Sequence, residues 1–342
     1  MHIPDGYLSP STCAVFYGAS APFLYVAARK ARRLVAGRLA PLLSVFAAFS
    51  FVIMMFNVPL PGGTSGHAVG ATLATIVLGP WAAMLVVSVA LAIQALFFGD
   101  GGILTLGANV FNMAVAMPLV AHVVYRLIAG RSSGSGQRVV GAAAAGYVAL
   151  NVAAFLTAVE FGVQPLLFRA ADGAPLYAPY GLEVAIPAMM VGHLLIAGPA
   201  EAIITALAVA YLQRTNPDLL PAPVAARPAT KARPAWLWGA IGALVVLAPL
   251  GLLASGTAWG EWNPADPEDW PLPFVPEGLR ALGGLWAAPL PDYTVPFLGE
   301  GTVAQALGYV GSAVVGVALL ALIGLGIGRL LARAEDRAKS AP

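Results

Sequence analysis

The sequence predicts an all-α integral membrane protein, a seven-helix bundle followed by two further transmembrane helices. Three observations lead there. Hydrophobic residues make up 59% of the 342-residue chain and charged residues only 10%, whereas a soluble domain carries roughly 25% charged residues. The mean hydropathy is +0.81. Apolar runs near the length needed to cross the hydrocarbon, about 20 residues, recur along the chain, and the basic residues cluster after some of them.

The apolar runs lie at 11–28, 39–57, 66–80, 81–98, 104–128, 139–160, 186–212, 236–255 and 303–330. The Gly79–Pro80 pair divides 66–98 in two, since proline ends or opens a helix. Basic residues gather after runs one (Arg29, Lys30, Arg32, Arg33, Arg38), five (Arg126, Arg131, Arg138), seven (Arg214, Arg227, Lys231, Arg233) and nine (Arg329, Arg333, Arg337, Lys339). Nine crossings put sixteen of the 18 basic residues on one face, with only Arg169 and Arg280 opposite. The positive-inside rule makes that face cytoplasmic, the N-terminus external and the C-terminus cytoplasmic. Residues 213–235 hold five prolines without apolar periodicity, as a linker does. The chain thus divides into a seven-span part (1–215), a cytoplasmic linker (216–235) and a two-span part (236–342) with a long outer loop. That loop, 256–302, carries seven carboxylates against one arginine. It either concentrates cations or is simply a solvated loop.

The chemistry is expected at the first ten residues, MHIPDGYLSP. They lack the basic start and apolar core of a removable signal. His2 is too large to favour trimming of the initiator, so Met1 is expected to keep a free amine. Met1 and His2 then offer an α-amine, a deprotonatable amide and an imidazole within a few bonds. His67, after the glycine-rich loop GGTSG, lies on the same outer face and supplies a fourth nitrogen. Four nitrogens in a plane suit Ni(II) or Cu(II). Glycine admits close backbone approach, and a hydroxyl such as Ser65 can orient an imidazole through its second nitrogen. Asn109 and Asn112, three apart on one helical face, either orient a ligand or join helices.

Other polar residues lie within the apolar runs. His122 and His193 are candidates by virtue of their depth, although a neutral histidine bonded to a neighbouring helix is the commoner case. Glu201 reads as the sole carboxylate inside a run, pairing with His193 or with another subunit. Cys13 alone allows no internal disulfide or thiolate cluster. There is no phosphate-binding G-x-x-x-x-G-K-[ST] loop, no H-E-x-x-H helix and no G-x-S-x-G turn. The chain is therefore expected not to be an enzyme, and nothing suggests nucleic acid. Energy for uphill transport would come from another polypeptide or an ion gradient. A gradient-driven secondary transporter or channel is the rival class, but no internal repeat marks paired halves. An intramembrane enzyme using His193 and Glu201 finds no supporting motif.

MHIPDGYLSP, NVPLPGGTSGHAVG (57–70) and FGDGGILTLGANVFNMAV (98–115) resemble the substrate-binding membrane component of energy-coupling-factor transporters for nickel and cobalt. The resemblance covers residues 1–215. It implies a planar site built from the terminal amine, the backbone nitrogen and imidazole of the second residue, and the histidine after the glycine-rich loop: Met1, His2 and His67. It also implies assembly in the bacterial inner membrane with a transmembrane coupling subunit and two cytoplasmic ATPase subunits. Residues 236–330 resemble the small two-span partner of such systems, with PEGLR (276–280) standing for the PDGLE signature and departing from it at Glu277 and Arg280. The IPDGYLSP start and the fused tail resemble the nickel branch, so Ni²⁺ is the expected cargo and Co²⁺ the alternative.

Overall fold

The structure is a computed structural model that describes residues 1–35, 40–60, 64–130, 134–220, 235–253, 272–299 and 301–340. The greater part of the linker 216–235 and residues 256–271 and 300 of the outer loop, along with Gly62 and Gly63, lie outside the described residues. In lipid every backbone polar group needs an internal partner, and only helices provide that within one segment. The apolar runs are accordingly helical.

Helix α1 (Pro10–Val35) begins where Ser9 caps it: the Thr12 amide donates to Ser9 Oγ at 3.1 Å. Proline then occupies the first helical position, where its missing N–H costs nothing. Helix α2 (Ala40–Met54) leads to an antiparallel pair, β1 (Val58–Leu60) and β2 (Thr64–Gly66), in the register Val58↔Gly66. Helix α3 (Ala71–Leu78) is followed by Gly79 at φ 83 and by Pro80 as first residue of α4 (Pro80–Phe98). The next helices are α5 (Leu106–Ala129), α6 (Ser135–Leu167) and α7 (Leu182–Thr215). After the linker come α8 (Ala235–Leu247), the short α9 (Glu277–Leu282) and α10 (Thr302–Ser340).

Six helices among the described residues are long and apolar enough to cross a membrane, in α1, α4, α5, α6, α7 and α10. Apolar stretches of α2 and α8 are shorter. The run at 66–80 differs most from expectation. Only its second half is helix, and eight residues rise about 12 Å, less than half the hydrocarbon. Hydropathy does not separate such a buried half-helix from a span, because both are apolar on every side. Seven of its residues are buried.

Small residues bring the long helices together. Gly141 faces Ala129 of α5, and Gly146 lies on the main chain of Glu201 in α7. Helix α10 packs along α2, with Gly316 under the Phe51 ring and Gly324 over Ser44. Three helices contain a widened π turn: Gln94–Phe98 in α4, Val110–Ala116 in α5 and His193–Ala197 in α7. Outward apolar side chains such as Leu127, Leu166 and Leu195 are exposed, as a lipid-facing surface requires.

Candidate metal centre

The first nine residues thread into the bundle as a strand of main chain that turns at Asp5 and Gly6, and alternate residues are fixed. The Ile3 amide donates to Asn109 Oδ1 at 2.8 Å. Its carbonyl accepts from the Gly102 amide at 2.9 Å and from Asn109 Nδ2 at 3.1 Å. The Asp5 carboxylate accepts the amides of Ile103 and Thr105 at 3.0 and 3.1 Å. The Tyr7 carbonyl accepts from the Ala178 amide at 3.0 Å, and the Ser9 amide donates to Gln164 Oε1 at 3.0 Å. Gly102 packs so tightly on Asp5 that any side chain there would overlap the carboxylate. Gly6, at φ 89, lies against the main chain of Leu279 in α9. Met1 ends this strand in a buried position, 3% exposed, its amine donating to the Ser65 carbonyl at 3.3 Å.

The β-pair delivers His67 to the same place. The His2 and His67 rings stack with centroids 4.7 Å apart and planes inclined by 24°. His67 Nδ1 lies 3.1 Å from the Ala68 carbonyl. A carbonyl can only accept, so Nδ1 carries the proton and Nε2 is left with a lone pair. That Nε2, the Nε2 of His2 and the Nε2 of His193 are buried without a hydrogen-bond partner. A buried acceptor left unmatched is costly, and a cation on His67 Nε2 would remove that cost there. Among the described residues no three His, Cys, Asp or Glu side chains group as a metal centre would need. The buried terminus brings main-chain nitrogens to the same place as the two imidazoles.

A ring of partners holds these groups. His2 Nδ1 donates to Asp100 Oδ1 at 2.6 Å. Asp100 Oδ2 accepts from the Tyr293 hydroxyl at 2.6 Å and from Gln94 Nε2 at 3.3 Å. Burial alone would raise the Asp100 pKa, but His2, by charge and hydrogen bond, and the Tyr293 hydroxyl hold it well below the usual carboxylate range. Burial and then the Asp100 charge push the Tyr293 phenol well above its ordinary value, so it stays a donor. Glu201, wholly buried in α7, accepts the amides of Val69 and Gly70 at 2.9 and 3.0 Å and so braces the loop that carries His67.

The structure brings Met1, His2 and His67 together, with Asn109 directly behind them on Ile3. Ser65 takes part through its carbonyl, not its hydroxyl, because His67 Nδ1 is already satisfied by Ala68. Asn112 points elsewhere: its amide donates to Thr157 Oγ1 at 3.1 Å and Glu160 Oε2 at 2.9 Å. The π turn that begins at Val110 widens the helix and rotates Asn112 off the face of Asn109. Glu201 is not the only carboxylate at depth, since Glu160 is buried in α6. Nor does Glu201 pair with His193, whose Nδ1 lies 2.7 Å from the Met189 carbonyl. His122 stands apart beside Arg126 on α5. Asp5, Gln94, Asp100 and Tyr293 were not legible as site residues, because each acts across a long loop closure.

The chain as a whole is similar to known proteins. Residues 2–219 match the model of the cobalt uptake substrate-specific transmembrane region, and residues 233–333 match the PDGLE domain. The fused nickel transport protein NikMN of Rhodobacter capsulatus is 56% identical over 96% of this chain and 97% of its own. The probable fused nickel transport protein LarMN of Lactiplantibacillus plantarum is 46% identical over 78% of this chain and 79% of its own. The crystal structure of a truncated transition metal transporter superposes with a TM-score of 0.60, at 55% identity over 62% of this chain and 98% of that one. The chain therefore belongs to the cobalt uptake substrate-specific transmembrane family, with a PDGLE domain in the same polypeptide.

Proposed function

We propose that this chain is the substrate-capture component of an ATP-driven importer of the energy-coupling-factor type, and that its cargo is Ni²⁺. The ion is held in a plane by the Met1 amine, the His2 amide nitrogen, the His2 imidazole and His67 Nε2. One observation carries the reading. A chain terminus, ordinarily solvated, is buried against His2 and a histidine 65 positions further on, and the buried Nε2 of His67 has no partner. Within this set His2 closes a chelate ring with its own amide through Nδ1, so on capture the proton that Nδ1 shares with Asp100 passes to Nε2 of the same ring and is not released. The Asp100 charge then offsets the cation. Ca²⁺ and Mg²⁺ are excluded because they want oxygen ligands.

Ni²⁺ is favoured over Co²⁺ because the relatives that share the fused arrangement are named for nickel. Co²⁺ remains the second reading, since the matching family model is described for cobalt. The chain has no nucleotide-binding motif, so hydrolysis falls to two cytoplasmic ATPase subunits joined through a transmembrane coupling subunit. We read nine membrane crossings, with residues 71–78 completing one after an extended entry, in the bacterial inner membrane. The N-terminus is outside, and residues 216–235 form a cytoplasmic linker between the parts 1–215 and 236–342.

The test is a Ni²⁺ and Co²⁺ titration of detergent-purified protein with a native N-terminus and a C-terminal tag. A second version carries an N-terminal extension. Tight 1:1 binding that is lost on extension and in His67→Ala is the expected result, and the metal order decides the cargo. Equal binding by both versions overturns the terminal chelate. Metal uptake by liposomes holding this chain alone would favour a gradient-driven carrier instead.

A further inference from the structure

We propose that Tyr293, which belongs to the C-terminal part, is a positioning residue for the capture site of the N-terminal bundle: its hydroxyl holds Asp100, and Asp100 holds the His2 imidazole. The inference rests on the reading in which His2 is a ligand. The chain of contacts is continuous. Tyr293 Oη donates to Asp100 Oδ2 at 2.6 Å, and Asp100 Oδ1 accepts His2 Nδ1 at 2.6 Å. Gln94 Nε2 donates to Tyr293 Oη at 2.9 Å and fixes the direction of the phenol proton, which is then free only for the carboxylate. In the unloaded site this carboxylate sets the orientation of the His2 ring, and when Nδ1 passes to the cation it stays beside the ring as the counter-charge; Tyr293 holds it in place in both states.

The surroundings show that this side chain is delivered. Tyr293 is 5% exposed and stacks on Phe98 at 4.9 Å, with Tyr309 edge-on at 5.2 Å. Asp292 and Tyr293 both take left-handed backbone angles, φ 51 and φ 59, and they are the only non-glycine residues with positive φ among those described. Such strain persists only where the surrounding structure dictates it. Flanking contacts dock the segment on the bundle: the Trp286 indole donates to the Leu96 carbonyl at 2.9 Å, the Leu290 amide to that of Phe97 at 3.0 Å, and Ser312 Oγ to that of Tyr293 at 2.9 Å. Packing alone would be served by phenylalanine. The hydroxyl has one acceptor, and that acceptor is Asp100.

The experiment is a double-mutant cycle in the full chain with its native N-terminus, read by Ni²⁺ affinity and by melting temperature. Tyr293→Phe should weaken Ni²⁺ binding by about tenfold, the lower end of what loss of such a supporting partner costs, with little change in melting temperature. In an Asp100→Asn background the same substitution should cost nothing further. Tyr309→Phe, in the same aromatic cluster but donating to the Met55 carbonyl at 2.7 Å, should leave the affinity unchanged. Wild-type affinity in Tyr293→Phe, multiplicative losses in the double variant, or an equal loss in Tyr309→Phe would each overturn the inference. His67→Ala run alongside separates the two layers: if it binds normally, the ligand reading itself has failed.

Discussion

Asn109 offers a direct measure of how far metal capture depends on docking the N-terminal strand. Its amide makes a two-pronged contact with the main chain of Ile3, accepting the N–H at 2.8 Å and donating to the carbonyl at 3.1 Å. In Asn109→Leu the carbonyl keeps the Gly102 amide at 2.9 Å and the Thr105 hydroxyl. The Ile3 N–H keeps nothing and is buried. One orphaned donor costs about 1–3 kcal/mol, and that shifts the ratio of docked to undocked terminus by roughly 5- to 150-fold. Apparent affinity falls with the docked fraction, so Ni²⁺ binding should weaken by up to that factor. The assay pairs a Ni²⁺ titration with the reactivity of the Met1 amine toward an acylating reagent, which should rise in step. Asn112→Leu serves as control, because it breaks an equally buried contact to Thr157 and Glu160 without touching Ile3. It should lower the melting temperature and leave affinity alone. Unchanged binding and an unreactive amine in Asn109→Leu would refute the docking argument.

Three further outcomes are expected. Glu201→Gln keeps an oxygen for the Val69 and Gly70 amides and should bind Ni²⁺ nearly as wild type. Glu201→Leu orphans both donors at about 1–3 kcal/mol each, and equal melting curves for the two variants would contradict the bracing role. Gly102→Ala forces a methyl into Asp5 and should cost about tenfold or more in affinity, because the strand cannot seat; wild-type binding would mean that the loop yields. Chelation removes a proton from the amine and another from the amide, and each released proton costs about tenfold in affinity per pH unit. Affinity should therefore fall by about a hundredfold per unit on acidification from neutral pH, and a flat titration between neutral and mildly acidic pH would exclude the four-nitrogen set.

Much of the architecture was legible because the bilayer leaves so few choices. Each apolar run contains a helix, and the Gly79–Pro80 break stands where proline chemistry puts it. The one large departure, 66–80, arises because hydropathy records burial and not length of helix. Met1 and His2 could be singled out because adjacent donors at a terminus form a pattern within a few residues, and His67 because a glycine-rich loop precedes it on the same face. Their supports could not. Asp100 sits in FGDGG, which reads as a solvated turn, and it matters only because Tyr293, 193 positions later, folds back on it. Glu160 stands at the edge of its apolar run, where hydropathy does not tell a buried carboxylate from a solvated one. The divergence of Asn112 from Asn109 depends on a π turn, which leaves no mark in composition.

Those π turns have a consequence for how the site can be gained or lost. A π turn is an α-helix carrying one extra residue, and each added residue rotates everything beyond it by about 100°. The turn in α4 carries Gln94, the turn in α5 separates Asn109 from Asn112, and the turn in α7 carries His193. Deleting a single residue from any of them would leave a helix still long and apolar enough to traverse the membrane. The polar groups on one side of the deletion would point somewhere else. The bundle and the pocket are thus encoded at different grain: the first survives single-codon deletions that the second does not.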